Sequence, residues 1–582
     1  MVVSRERVET RCDLTGPHNP DEQVFDMALA QPSPRVQNEN TMDQARLVAA
    51  LANPARFGPA CTSVTVLETH ISYVLLTGKH AYKLKKAVDL GFLDFTTLAS
   101  RRFFCEQELR LNRRLAPELY LDVVAITGTI DEPVIDGKGP VLEYAVKMRE
   151  FPQDALASRV LDRNELGVAD IDMLAAKVAA FHATSQKAAA DSTFGAPETI
   201  LRAALANCKS LLAGAASPAE RRTIEALHTW TEREHAARNA AFRGRREGGF
   251  VRECHGDLHL GNIAVIDGEV TIFDCIEFNE QMRWIDVMSE VAFTAMDLQD
   301  RGHAELAHRF VNAYLEITGD YAGLSVLRFY LVYRALVRAK IALLRAIQLP
   351  PGEARAPLYA ERDGYLRLAE AYARSPEPAI LITHGITGCG KTTLSQALLE
   401  QIGAIRIRTD VERKRMHGLR PTDRHRDGLD ATLYSGGVTR WVYRRVLALT
   451  EASASAGFPT IVDGAFLWHW QREMFRDLAR KLRIPFLIVT FDADEATLRA
   501  RVALRMQRAT DASDADLAVL ERQIRSHDPL DPGETAESVA IDAEALPPSA
   551  LEGRQWDVVC ERLQRAARGV TPPQPASATS TA

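Results

Sequence analysis

The segment GITGCGKT at residues 385–392 limits the possible folds more than any other part of the chain. It fits the spacing G-x-x-x-x-G-K-[ST], follows the apolar run AILITH and precedes the helical pattern TTLSQALL. Glycines at this spacing let backbone N–H groups turn inward around a phosphate, and the start of the helix adds its dipole. The sequence therefore predicts a phosphate-binding loop between a buried strand and a helix.

The side chains of this loop have distinct expected roles. Lys391 is predicted to reach the β- and γ-phosphates of a nucleotide, and the Thr392 hydroxyl is predicted to bind magnesium. Cys389 is expected to be a reactive thiol that alkylating reagents reach and that bound ATP protects. The predicted nucleotide-binding set is Gly385, Gly388, Cys389, Gly390, Lys391, Thr392 and Thr393.

Strand and helix patterns alternate after this loop. AIRIRTD is predicted to be a strand that ends with Asp410, and TIVDGAF a strand that ends at Asp463, where a carboxylate can hold magnesium through water. Such alternation predicts an α/β domain with a parallel sheet and helices on both faces. Residues 406–426 carry eight Lys/Arg against three Asp/Glu, a balance that fits an anionic substrate, a nucleotide or a solvated surface.

A second motif, HGDLHLGN at residues 255–262, has the H-x-D-x-x-x-x-N spacing of the kinase-like catalytic loop. At this spacing Asp257 is predicted to accept the proton of the attacking hydroxyl, and Asn262 to bind magnesium. The run VTIFDCIEF follows and places Asp274 at the end of an apolar strand, where the second magnesium ligand belongs. Phosphoryl transfer needs both a carboxylate beside the incoming oxygen and a nearby metal.

The remaining parts of this first site lie upstream. Lys83 in AYKLKK is predicted to pair with the α- and β-phosphates, with Lys85 on the same strand face as the alternative. Glu108 in the following helix is predicted to orient that lysine, with Glu106 as the alternative.

The first half of the chain is predicted to be a small β-rich lobe followed by a helical lobe. Residues 62–88 are predicted to form one hairpin with the turn TGKH, and residues 139–148 a further strand. Residues 155–240 and 284–346 have helical patterns. In the last of these helices Arg334, Arg338 and Arg345 share one face, which we interpret as solvated, with a substrate-facing stripe as the alternative.

The two motifs resemble two known groups of enzymes. Roughly residues 60–370 are similar to the aminoglycoside phosphotransferase group of the kinase-like superfamily, whose catalytic loop reads HGD. Cys-Ile rather than Phe-Gly follows Asp274, so the resemblance does not extend to protein-kinase regulation. The second half resembles small-molecule P-loop kinases of the gluconate-kinase, chloramphenicol-phosphotransferase and zeta-toxin kind.

The second resemblance implies further site residues. Asp410 would take the substrate proton, and arginines of the helix ATLRARVALRMQR would form a lid over the transferred phosphate. Arg505 is the catalytic candidate in that lid, with Arg501 and Arg508 on the same face, although an arginine-rich solvated helix face would look the same.

The domain boundaries are predicted from composition. Residues 1–42 and 569–582 are predicted to be disordered tails. The kinase-like α+β domain is predicted to span residues 43–374, with a small lobe to about 150, and the P-loop domain residues 379–568. SPEP at 375–378 would separate two halves with their own cores. The whole chain resembles a bacterial two-domain family usually described as bifunctional aminoglycoside phosphotransferase/ATP-binding protein.

Charge and cysteine usage exclude several classes of function. A net charge of −6 provides no global field for nucleic acid or an anionic membrane. The eight cysteines include no CxxC pair, and no apolar run is long enough to span a bilayer. We therefore expect a cytoplasmic protein with small-molecule substrates, among them an anionic one as an option, and no evident protein partner.

Together these patterns predict an enzyme that uses ATP and Mg2+. Two independent sites would each transfer the γ-phosphoryl group to a small-molecule hydroxyl. The alternative is a nucleotide-sensing regulatory protein in which one ATP site is not catalytic. Two candidate bases, Asp257 and Asp410, favour the enzyme, because a sensor needs neither.

Overall fold

The computed structural model of the chain describes residues 39–91, 93–374, 377–420, 423, 436–508, 515–542 and 554–569. The described residues form two compact units. One runs to Leu109 and adds Tyr120–Glu150, and the other comprises Arg110–Leu119 and the residues from Phe151 onward. Within these ranges, no helix combines the length and the apolar composition that crossing a membrane requires.

The first unit contains an antiparallel sheet with strand order β1-β2-β3-β6-β4-β5. Its strands are β1 (Thr65–Glu68), β2 (Ser72–Leu76), β3 (His80–Lys85), β4 (Tyr120–Gly128), β5 (Pro133–Ile135) and β6 (Val141–Arg149). Its helices are α1 (Glu39–Leu51) and α2 (Leu98–Asn112), of which the residues from Arg110 onward belong to the second unit. The hairpin predicted for residues 62–88 is confirmed for β2 and β3, which pair antiparallel across the turn TGKH, but its first arm is not a single strand. A turn in which Thr69 N–H donates to Ser72 O divides its first arm into β1 and β2.

Helix α1 corrects the predicted disordered N-terminal tail of residues 1–42. The helix begins at Glu39, and its residues Leu47, Val48 and Leu51 are buried in the core beneath the sheet. Residues 39–42 therefore belong to a helix rather than to a disordered tail. Residues 1–38 lie outside the described part of the chain.

The second unit begins with the helical lobe. Its helices are α3 (Ala157–Asp162), α4 (Val168–Thr184), α5 (Pro197–Ala213), α6 (Pro218–Glu247), α7 (Glu280–Arg283), α8 (Val287–Asp300), α9 (Ala304–Thr318), α10 (Leu324–Gln348) and α11 (Ala356–Ala373). Two short antiparallel ribbons interrupt them, β7 (Val251–Glu253) with β10 (Trp284–Asp286), and β8 (Ile263–Ile266) with β9 (Glu269–Ile272). The helical content predicted for this region is confirmed.

The same unit continues with a five-stranded parallel sheet in the order β12-β13-β11-β14-β15. The strands are β11 (Ile380–His384), β12 (Ile405–Arg408), β13 (Thr460–Asp463), β14 (Phe486–Asp492) and β15 (Ser538–Asp542). The helices around it are α12 (Lys391–Ile402), α13 (Thr409–Met416), α14 (Gly436–Ser455), α15 (His469–Leu482), α16 (Glu495–Arg508), α17 (Leu517–Arg525), α18 (Pro532–Ala536) and α19 (Arg554–Gly569). The predicted α/β fold is confirmed.

The two faces of this parallel sheet belong to different cores. Leu381 faces a cluster made only of residues from 379 onward. Its neighbours Ile380 and Ile382 belong to a cluster that also contains Tyr321 and Leu331 of the helical lobe. Side chains alternate along a strand, so one face is shared with the first half of the chain. The expectation that each half has a separate core is wrong for that face.

Candidate active sites

The loop that carries HGD requires its glycine. Gly256 has φ +90°, and a Cβ added there would lie 2.7 Å from Met282 O. Any other residue here would have a strained backbone conformation, and its Cβ would collide with the carbonyl oxygen of Met282. The loop lies between β7 and β8, and a short 3-10 turn at Leu260–Asn262 ends it.

Asp257 and Asn262 come together in this loop. The Asn262 amide donates to Asp257 O (2.9 Å) and Asp257 Oδ2 (3.1 Å), and His259 Nε2 lies 3.4 Å from Asp257 Oδ2. Burial acts to raise the pKa of Asp257, but His259, His255 and the Arg338 guanidinium lower it below its ordinary value. Since its side chain is 34% exposed, Asp257 can offer an ionised carboxylate to a hydroxyl.

His255 ties this loop to the segment ahead of Asp274. Its Nδ1 accepts from Asp257 N–H (3.3 Å), so its Nε2 carries the proton and donates to Phe273 O (2.8 Å). Burial lowers the pKa of His255, which favours this neutral form. The first His of the motif therefore positions the loop.

Helix α8 holds the same loop with one polar stripe. Glu290 accepts from His255 N–H (2.7 Å), Thr294 donates to Leu258 O (2.9 Å), and Asp297 accepts from Leu260 N–H (2.8 Å). The three side chains are buried at i, i+4 and i+7, which is one face of a helix. Sequence reasoning missed them. The available signal was the polar stripe itself within the apolar run EVAFTAMD.

The arginines of α10 correct an interpretation made from sequence. Arg334 is buried and donates to Gly256 O (3.1 Å) and to Ser289 O (3.2 Å) and Oγ (3.2 Å). Arg338 packs over the Tyr365 ring and contributes to the lowered pKa of Asp257. The face is not solvated at these two positions, because both guanidinium groups find partners inside the lobe.

Asp274 follows β9 after one intervening residue rather than ending the strand, which corrects its predicted place. Its φ is +64°, a left-handed conformation unusual for a residue other than glycine. The next residue is held by Asn112, whose Oδ1 accepts from Cys275 N–H (2.8 Å). A residue held in this conformation is typical of a functional site.

These residues fit a magnesium ion. The amide nitrogen of Asn262 is committed to Asp257, which leaves Oδ1 as the atom able to bind a metal. Asp274 supplies a carboxylate, and oxygen donors of these two kinds are the ligands that Mg2+ prefers.

In the first unit, Lys83 and Lys85 both pair with Glu108. Lys83 Nζ lies 2.9 Å from Glu108 Oε1, and Lys85 bonds Oε2 of the same fully buried carboxylate. Burial acts to raise the pKa of Glu108, but the two ammonium groups outweigh it and lower that pKa. Glu106 is exposed and pairs with Arg102, so the geometry selects Glu108. Lys83 is 12% exposed and Lys85 is fully buried, which favours Lys83 for reaching a phosphate.

The phosphate loop has glycines where side chains would not fit. A Cβ at Gly385 would lie 2.6 Å from Phe491 O, and one at Gly388 would lie 2.9 Å from Leu498 O. Both have positive φ, as does Gly390, which precedes the first residue of α12. Lys391 donates to Gly385 O (2.9 Å) and Ile386 O (2.8 Å). The backbone thus adopts the tight turn expected of a phosphate cradle.

Cys389 is 1% exposed and packs in the core beneath this loop. This contradicts the expectation of an accessible thiol, because the turn directs the side chain inward. Thr392 and Thr393 lie in the first turn of α12, and Thr392 O accepts from Arg406 Nη1 (2.9 Å).

The two predicted acidic residues of the second site lie at, or just beyond, the ends of two neighbouring strands. Asp463 is the last residue of β13, and its buried Oδ2 has no hydrogen-bond partner in the described structure. An oxygen of that kind fits magnesium or a water bound to it. Asp410 does not end its strand, since β12 stops at Arg408 and Asp410 lies in the first turn of α13. Polar Thr409 starts the helix there.

Of the three predicted lid arginines, the structure describes the side chain of Arg501 alone. A Cβ at Gly390 would lie 3.7 Å from Arg501 Nη1, so this guanidinium lies beside the phosphate loop. Arg505 and Arg508 belong to the last turns of α16, and their side chains lie outside the described part.

Much of the basic segment 406–426, which begins within β12, is interior rather than a solvated surface. Arg406, Arg413 and Lys414 are buried, together with Glu412. Its later residues 421–422 and 424–426 lie outside the described part.

Comparisons with known proteins match the two halves of the chain to different families. A model of the family described as "Phosphotransferase enzyme family" matches residues 104–330, and one described as "AAA domain" matches residues 380–530. "Uncharacterized protein Rv2004c" of Mycobacterium tuberculosis is 31% identical over 420 residues, which cover 72% of this chain and 81% of the relative. The same values hold for "Uncharacterized protein Mb2027c" of Mycobacterium bovis. The chain belongs to the family of these mycobacterial proteins.

Solved structures similar to parts of this family member are kinases by their titles. A choline/ethanolamine kinase family protein from Mesorhizobium loti is 13% identical, with a TM-score of 0.36, and the match covers 58% of this chain and 96% of that one. A gluconokinase from Sinorhizobium meliloti is 22% identical, with a TM-score of 0.22, and the match covers 34% of this chain and 95% of that one. By the two family matches, this chain combines a phosphotransferase-family domain with a P-loop kinase-like domain, as predicted.

Proposed function

We propose that the chain is an ATP-dependent phosphotransferase with two Mg-ATP sites, each transferring the γ-phosphoryl group to a hydroxyl of a small molecule. The observation that carries this proposal is the fixed pair of Asp257 and Asn262, a base and a metal ligand joined by hydrogen bonds on a loop that helix α8 holds. A protein that only senses nucleotide has no need of such a base.

In the first site, Lys83, oriented by Glu108, would pair with the α- and β-phosphates. Asn262 and Asp274 would hold Mg2+, which on binding would neutralise charge on the phosphates. Asp257 would accept the proton of the attacking hydroxyl.

In the second site, Lys391 and the loop amides would hold the β- and γ-phosphates. Thr392 and Asp463 would bind magnesium directly or through water, and Asp410 would accept the proton of the acceptor. Arg505 would complete a lid with Arg501.

Release of ADP with a panel of small alcohols, sugars and amino alcohols tests the proposal. Asp257→Asn and Lys391→Ala should each remove part of the ATP consumption, and the double variant all of it. Exposed Asp267, in the turn between β8 and β9, and exposed Lys481 provide matched controls as Asp267→Asn and Lys481→Ala. If Lys391→Ala alone abolishes consumption and Asp257→Asn has no effect, the first site is not catalytic and the nucleotide-sensing alternative holds.

A further inference from the structure

Helix α9 of the kinase-like half covers the free edge of the parallel sheet. Strand β12 is the edge strand, and Asn312 of α9 binds it as a neighbouring strand would. Asn312 Oδ1 accepts from Arg406 N–H (2.7 Å), and its Nδ2 donates to Ala404 O (2.9 Å). The position of β12 is therefore determined partly by residues outside the P-loop half.

Glu316 lies one turn further along α9 and binds arginines from β12 and α13. Its Oε1 accepts from Arg408 Nη1 (2.9 Å), and its Oε2 lies 3.5 Å from Arg406 Nη2. Its backbone carbonyl accepts from Arg415. Burial opposes ionisation, but Arg408 and Arg406 lower the pKa of Glu316, so the carboxylate remains charged.

Each of the two arginines of β12, Arg406 and Arg408, contacts a residue that is predicted to bind magnesium. Arg406 Nη1 donates to Thr392 O (2.9 Å) and to Ser395 Oγ (3.3 Å) in α12. Arg408 Nε lies 3.7 Å from the Oδ2 atom of Asp463. The Glu316 carboxylate, from the first half of the chain, therefore holds the two arginines that contact Thr392 and Asp463.

We propose that Glu316 is a positioning residue of the P-loop site, an inference that rests on the function proposed above. By holding Arg408, Glu316 keeps that guanidinium from closing on Asp463 and leaves the Asp463 carboxylate available to magnesium. Without the Glu316 charge, Arg408 retains Asp463 as an acidic neighbour and competes with the metal for it. The kinase-like half thus supplies a residue on which metal binding in the second half depends.

The test is the magnesium dependence of nucleotide binding, measured with a fluorescent ATP analogue on the full chain. The P-loop contribution is the part of the signal that Lys391→Ala removes. Glu316→Gln should raise the magnesium concentration for half-maximal binding roughly 10- to 100-fold, the range for residues that orient metal ligands. Binding without magnesium, in EDTA, should stay unchanged.

Two further variants separate positioning from a general loss of structure. Glu316→Gln combined with Arg408→Met should restore the magnesium dependence, because the competing cation is gone. Glu305→Gln changes an exposed glutamate on the same helix and should have no effect. Turnover that depends on Asp257 should be equal in all of these proteins.

Four outcomes would count against the inference. An unchanged magnesium dependence in Glu316→Gln overturns it, and so does an equal loss of binding with and without magnesium, which would show a purely structural role. If Arg408→Met fails to restore binding, Arg408 does not compete with magnesium for Asp463, and the inference is overturned. If wild type and Lys391→Ala bind the nucleotide equally, the P-loop site itself is wrong, and the proposed function falls together with the inference.

Discussion

Arg334 offers a sharp test of how the first site is held. This buried guanidinium makes three hydrogen bonds, one to Gly256 O directly before the proposed base. It also stacks over the Phe293 ring, 4.7 Å from the centroid. The change Arg334→Met keeps an unbranched apolar stem and removes the charge together with Nε and Nη1, the two donors of these three bonds.

The size of the effect follows from these contacts. The charge-assisted bond to Gly256 O is worth about 1.5–3 kcal/mol. The stacking on Phe293 adds about 0.5–1 kcal/mol. We therefore expect the loop to open more easily by about 2–4 kcal/mol. Arg345 of the same helix is 46% exposed and lies 3.4 Å from Glu361, so Arg345→Met should cost about 0–1 kcal/mol.

Hydrogen exchange of a peptide covering residues 254–262 measures this opening directly. Arg334→Met should speed exchange there roughly 30- to 900-fold, since each 1.4 kcal/mol is a factor of ten. The rate of ADP release in the Lys391→Ala background should fall as well, because Gly256 positions Asp257. Equal exchange in the Arg334→Met and Arg345→Met proteins would refute the reasoning.

Three further predictions follow from the site geometry. Asp257→Asn should lower ADP release by the first site roughly 10²- to 10⁴-fold and leave ATP binding intact. Asp274→Ala should instead weaken the binding of Mg-ATP. Equal affinity and equal turnover in the two variants would contradict these roles. Glu108→Gln leaves two ammonium groups without their carboxylate and should destabilise the first unit by about 3–5 kcal/mol in urea unfolding, against about 0–1 kcal/mol for exposed Glu106→Gln. Native protein should be alkylated at the half-buried Cys61 and Cys560 before Cys389. Peptide mass mapping that finds Cys389 modified equally fast would show a more open loop.

The helices that support the two sites lie side by side. Helix α8, which holds the HGD loop, packs against α9, which covers the edge of the parallel sheet. In the proposed function each site uses its own base and metal ligands, yet the residues of both sites are held by one block of helices. Any effect of one site on the other would pass through that block and should be modest, about 1–3 kcal/mol.

Local patterns in the sequence were enough to predict the motifs and their setting. GITGCGKT was predicted between a strand and a helix, and it lies between β11 and α12, because glycine spacing and apolar runs act over neighbouring residues. The parallel sheet and the helical lobe were likewise predicted from periodicity. The same patterns misplaced Asp274 and Asp410 by one or two residues, since strand ends depend on pairing with distant strands.

Only the tertiary structure decided which side chains meet. Glu108 and Glu106 lie two residues apart in one helix, and burial beside Lys83 and Lys85 separates them. Arg334 looked solvated because periodicity shows which residues share a face, but not what packs against that face. Glu316 has no local signal at all, as its arginines lie some ninety residues away. Sequence patterns record the short-range preferences of the backbone, whereas long-range partners are determined by how the helices and sheets pack together.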